Sequence, residues 1–184
     1  MRWGAKKLDA AQLELVRGSL LYARTHGEGL PEGLLDRVQS LLDGGAVLTR
    51  SSRDRARYLA VPGLGSWIEL NPEALGLDVR YDWRAALRTC SGEGEERARQ
   101  GALIRAKADQ QWLFVAAALV HEGSHAHAGL SLHRAADERA AYGAECRFLS
   151  NVLDSCPSPL VRSAAESLLA DARRDARQQE GLDL

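Results

Sequence analysis

The sequence predicts an α+β fold, mostly helical, with a small three-stranded sheet ahead of its most apolar helix. Three observations predict it. Apolar residues recur at helical spacing through most of the chain. Between residues 46 and 71 the texture changes to short apolar and β-branched runs separated by turn signals. The longest apolar run, Trp112 to Val120, then falls in a region of strong helix formers.

The N-terminal part, residues 1–45, reads as two helices. Asp9 is placed as an N-cap, and Leu13, Val16, Leu20 and Ala23 follow on one face until His26-Gly27. Pro31 suits a first helical turn, and Leu34, Leu35, Val38, Leu41 and Leu42 form the apolar side up to Gly44-Gly45. The sheet spans 46–71. Its strands are Ala46–Thr49, Arg57–Val61 and Ser66–Leu70, read as a meander and stopped by Asn71-Pro72. Tyr81 to Arg88 reads as a short helix and Arg97 to Lys107 as another. Asp109 would cap a helix over 109–128 that Gly129 ends. Further helices are expected over 135–154 and 158–178, separated by Cys156-Pro157-Ser158-Pro159.

A chain of 184 residues is most simply one domain, and 45% apolar with 27% charged residues is ordinary for a globular protein. A net charge of -1 gives no basis for nucleic-acid binding. The basic residues are 21 Arg and 3 Lys, interspersed with acids as on solvated helix faces. Leu8 leads straight into Asp9, so no leader peptide is read, and no apolar run is long enough to span a bilayer. The expected location is cytoplasmic, where Cys90, Cys146 and Cys156 would stay reduced.

The chemistry concentrates in His121-Glu122-Gly123-Ser124-His125, an H-E-x-x-H pattern at the end of the apolar run. With 5 His and 13 Glu in the chain, random order would produce it about 0.01 times. Four residues apart on a helix, both imidazoles reach one metal ion, and Glu122 falls beside it, where a base could hold a water. A catalytic zinc takes three protein ligands. His127, His133, Glu138 and Glu145 are the nearby candidates for the third. His127 points about 200° away from His125, and His133, eight residues after His125 with Gly129 at four, is a poor match to the H-x-x-G-x-x-H continuation of the metzincins. Glu138 and Glu145 share a face of the next helix with Ala141 and Tyr142, about 10 Å apart, so only one can bind. The short connection favours Glu138, with Glu145 as the alternative, and the other carboxylate is free to hydrogen-bond an imidazole. Cys146 reads as a buried thiol, with a role near the metal as the other option.

This pattern, His121-Glu122-x-x-His125 followed by Glu138-x-x-Ala141-Tyr142-x-x-Glu145, resembles the gluzincin branch of the zincin metallopeptidases, distantly the thermolysin group. The resemblance covers about Trp112 to Phe148. It implies one Zn2+ ion held by His121, His125 and Glu138 (or Glu145), with Glu122 polarising the water that attacks a peptide or protein substrate. It also implies an edge strand beside the cleft, for which Ser66–Leu70 is the candidate, and a donor to the oxyanion from Tyr142, His127 or His133. The alternative is a metal-binding domain of the same shape without activity, acting as a sensor or interaction module. No membrane partner is implied, and the oligomeric state is left open.

Overall fold

A computed structural model describes residues 4–78, 83–91, 93–129, 134–155 and 158–180, and these described residues form six helices and four strands. Asp9 caps α1 (Ala10–Thr25) as the sequence predicts. Its side chain accepts the Gln12 N–H at 2.9 Å, and the Gln12 side chain accepts the Asp9 N–H at 3.0 Å. Val16, Leu20 and Ala23 are buried. Helix α2 (Leu34–Asp43) starts three residues after Pro31. Gly33 intervenes with a left-handed φ of 79°, and Pro31 sits in the preceding turn, its carbonyl accepting the Leu34 N–H.

The sheet departs from the expected meander. It has four strands: β1 (Lys6–Lys7), β2 (Val47–Thr49), β3 (Ala56–Val61) and β4 (Gly65–Leu70), in the order β1-β2-β4-β3. β3 and β4 form a hairpin with Tyr58 opposite Ile68, its turn carrying Gly63 and Gly65 at positive φ. β2, however, skips β3 and pairs in parallel with β4, Val47 opposite Ile68. Burial explains the order. Val47, Leu48 and Thr49 are all buried and need neighbours on both sides, whereas β3 is only half-buried and takes the edge. The Ser66–Leu70 segment expected at the edge is therefore internal. The edge beside the helices is β3.

After the short α3 (Trp83–Arg88), one helix of 35 residues, α4 (Gly94–Ala128), replaces the two that were expected. Asp109 is interior to it and is not a cap. The segment before it is rich in helix formers, and the one glycine, Gly101, costs only about 1 kcal/mol relative to alanine. Gly129 (φ 79°) ends α4 as expected. α5 (Arg134–Ser155) and α6 (Pro159–Glu180) match their expected ranges within two residues. Residues 81 and 82, His133 and Cys156-Pro157 lie outside the described residues.

α4 divides the core. Val115, Ala118 and Leu119 pack with α1, α2 and the sheet, while Leu113, Ala116, Ala117 and Val120 pack with α5 and α6. The small residues let neighbours approach closely, most tightly at Gly123, where a Cβ would stand 2.6 Å from Val38 Cγ2. No helix among the described residues is long and apolar enough to cross a membrane.

Candidate metal centre

The last two turns of α4 carry His121 and His125 on one face, and the second turn of α5 carries Glu138 opposite them. Glu138 Oε2 lies 3.6 Å from Nε2 of His121 and 3.6 Å from Nε2 of His125. One donor atom from each residue falls within 4.8 Å of the other two. Two ligands on a tetrahedral ion, each about 2.1 Å from it, stand about 3.4 Å apart, so a zinc-sized cation fits this donor set with small adjustments. The three side chains are 12%, 17% and 23% exposed, which places them in the wall of a cleft rather than in the core or on an open face.

Glu145, the alternative ligand, stands on the other side of His121. It is fully buried, and its Oε2 lies 3.0 Å from His121 Nδ1. Accepting from Nδ1–H fixes that tautomer and leaves the Nε2 lone pair directed at the cluster. The other oxygen of Glu145 accepts from Arg55 Nη2 at 3.0 Å. Arg55 comes from the turn before β3, ninety residues away in sequence. It was not among the expected site residues, because nothing in its neighbourhood separates it from the other arginines.

The electrostatics suit a cation. Burial alone would push His121 down, but its hydrogen bonds to Glu138 and Glu145, with the charges of Glu122 and Glu145, push its pKa up to about 9. Hydrogen bonds from both imidazoles hold the Glu138 carboxyl far below the usual range, against burial. In the absence of an ion, the proton on His121 answers the charge of Glu138. A metal cation would answer the same charge.

Glu122 lies beside the cluster and is buried. Its Oε2 accepts the backbone N–H of Tyr58, which points away from β4. Burial raises its pKa, opposed by His121, His125 and the Tyr58 N–H. Tyr142 packs edge-on against His121 at 4.6 Å between ring centroids. Its hydroxyl is pushed up to about 12, first by burial and then by Asp175, Glu138 and Glu145, so at neutral pH it remains a donor. His127 is exposed on the side of α4 facing Gly33 and does not line the cleft. Cys146 is a free thiol outside the cluster.

The cleft holds about 910 Å³. β3, residues 56–60, forms one wall, and His121, Glu122, His125, Glu138 and Tyr142 form the other. Because side chains and main-chain groups alternate along a strand, the N–H and C=O groups of Ala56 and Ala60 face the same way as the Tyr58 N–H, outward from the sheet. The cluster, a buried carboxylate next to it and an open strand edge thus share one cavity. No protein-family model, curated protein or solved structure matches the chain.

Proposed function

We propose that this protein is a zinc-dependent metallopeptidase of the gluzincin type, with His121, His125 and Glu138 as ligands and Glu122 as the general base. The observation that carries the reading is the meeting of two imidazoles on α4 with a carboxylate on α5, in a cleft that also holds Glu122. When bound, a zinc ion supplies a Lewis acid that polarises a carbonyl and acidifies a water. Glu122 takes the proton of the attacking water and returns it to the departing amine. Burial raises its pKa toward the range in which one carboxyl serves both as base and as acid. The Tyr58 N–H holds one of its oxygens and leaves the other for the water. An extended peptide pairs its main chain with Ala56 and Ala60 on the β3 edge. Tyr142 stands where its hydroxyl can donate to the developing oxyanion.

A catalytically silent metal-binding domain is the competing reading. A closed structural site favours a fourth protein ligand, and among the described residues the group contains three.

The test is elemental analysis together with a peptide-hydrolysis assay on purified protein. Native protein should carry about one zinc per chain. Glu122→Gln should keep the metal and lose at least 100-fold in kcat, as general-base removal does. His121→Ala and Glu138→Ala should lose both metal and activity. Hydrolysis that persists in Glu122→Gln excludes the mechanism, and native protein that takes up no zinc excludes the whole reading.

A further inference from the structure

A second concavity lies on the outer side of Tyr142, between α5 and α6. It is an open groove of about 590 Å³. Arg139, Tyr142, Gly143 and Cys146 bring it one face of α5, and Arg173 and Arg177 bring it one face of α6. Among the described residues no carboxylate lines it, whereas five line the metal cleft on the other side of Tyr142.

Two features of the groove lack an internal reason. The first is Gly143, in the interior of α5. Glycine is the poorest helix former after proline, and tight packing is the usual justification for one inside a helix. Here a Cβ would meet nothing within 4 Å among the described residues, and φ is not positive. Packing within the chain does not ask for glycine, and a larger residue would fill the floor of the groove. The second is the pair Arg173 and Arg177. Their carboxylate neighbours Asp171 and Asp175 are engaged by Arg174 instead. Arg177 spends its Nε on the carbonyl of Arg173 at 3.2 Å, and neither guanidinium meets a carboxylate among the described residues. Their forked donors match the oxygens of phosphate and carboxylate.

We propose that this groove binds an oxyanion, a phosphate or carboxylate group carried on a small organic body. Arg173 and Arg177 meet the charge, and the space over Gly143 and Ala176 takes the body against the ring of Tyr142. The occupant is either a free small anion or an acidic residue of a peptide reaching over Tyr142 from the metal cleft. The site does not depend on the metal reading, so it is tested on metal-free protein.

Cys146 provides the readout, since its half-buried thiol stands in the groove. Alkylation by neutral iodoacetamide is followed peptide by peptide by mass spectrometry. Cys90, which does not line the groove, is the internal control. Phenyl phosphate, or a short peptide rich in glutamate, should slow alkylation of Cys146 several-fold and saturably, leaving Cys90 unchanged. Protection by phenyl phosphate alone identifies a free anion, by the peptide alone identifies a peptide side chain, and by both shows that either source is read. Arg173→Gln with Arg177→Gln should abolish protection. So should Gly143→Leu, which occupies open space and leaves the core untouched. The proposal is overturned if neither probe protects, if sodium chloride at equal ionic strength protects as well, or if protection survives in both variants.

Discussion

Glu145 has no solvent contact, and its two oxygens stand between an imidazole and a guanidinium. A carboxylate taken out of water survives only with partners for its oxygens. His121 Nδ1 and Arg55 Nη2 are those partners, each at 3.0 Å. Arg55 engages it through one nitrogen, and its Nη1 is buried without a partner among the described residues, so the pair is not bidentate. Removing Glu145 takes the acceptor from the mostly buried His121 imidazole, while Arg55, whose side chain is 35% exposed, can turn to water. Glu145→Ala should therefore cost about 1–3 kcal/mol in urea unfolding of the metal-free protein, whereas replacing Arg55 and Glu145 together by methionine should cost less. Because Glu145 sets the tautomer of His121, the single substitution should also weaken zinc binding about 10- to 100-fold in a chelator competition. Unchanged zinc affinity in Glu145→Ala would show that the imidazole is oriented by something else.

At the scale of elements, Gly123 shows how the motif is tied to the fold. It is the third residue of His121–His125, and it is where α2 crosses α4. A methyl group there would meet Val38 Cγ2 at 2.6 Å and Leu34 Cδ2 at 3.0 Å. Gly123→Ala gains about 1 kcal/mol in helix propensity. It loses about 1–3 kcal/mol to overpacking, because Val38 sits on a helix and cannot rotate clear. The net effect should be a lower melting temperature that Val38→Ala partly restores. An unchanged melt in the single variant would mean that the two helices separate at no cost. The same logic marks what the sequence could and could not say. Asp9 and the apolar stripe of α1 were legible because capping and periodicity act within a few residues. So was the expectation that the early part of α5, which carries Glu138, passes both histidines, since it followed from the short link between two helices. The order of strands was not legible, because parallel pairing of β2 with β4 depends on burial on both sides of β2, which runs of apolar residues do not report. Neither were Arg55 and the Tyr58 N–H. One reaches the site across ninety residues, and the other is a backbone group that no residue type announces. The single α4 was misread as two helices because Asp109 suits a cap as well as it suits the half-buried helix interior it occupies.

Across the whole molecule, the donor cluster joins α4 to α5, and α4 in turn packs on every layer of the core. Anything bound there stabilises the entire fold. Zinc at about a thousandfold excess over its Kd adds about 4 kcal/mol, and for a chain of this size each kcal/mol raises Tm by about 2–4 °C. The pH dependence follows from His121. Burial lowers its pKa, but its hydrogen bonds to Glu138 and Glu145 raise it further, to about 9 from an ordinary 6.5. The folded, metal-free protein thus holds a proton that the unfolded chain releases between pH 6.5 and about 9. A group raised in this way contributes its full stability below 6.5 and loses it as pH climbs through about 9. Zinc needs the same nitrogen without its proton, so its binding strengthens over the same interval. Metal-free protein should melt at a lower temperature at pH 9 than at pH 6.5, while the difference between loaded and metal-free Tm should widen. Differential scanning calorimetry at both pH values, with and without zinc, measures this directly. A gap that narrows toward pH 9 would mean that the metal does not displace a proton from His121, and the ligand set would then have to be drawn without it.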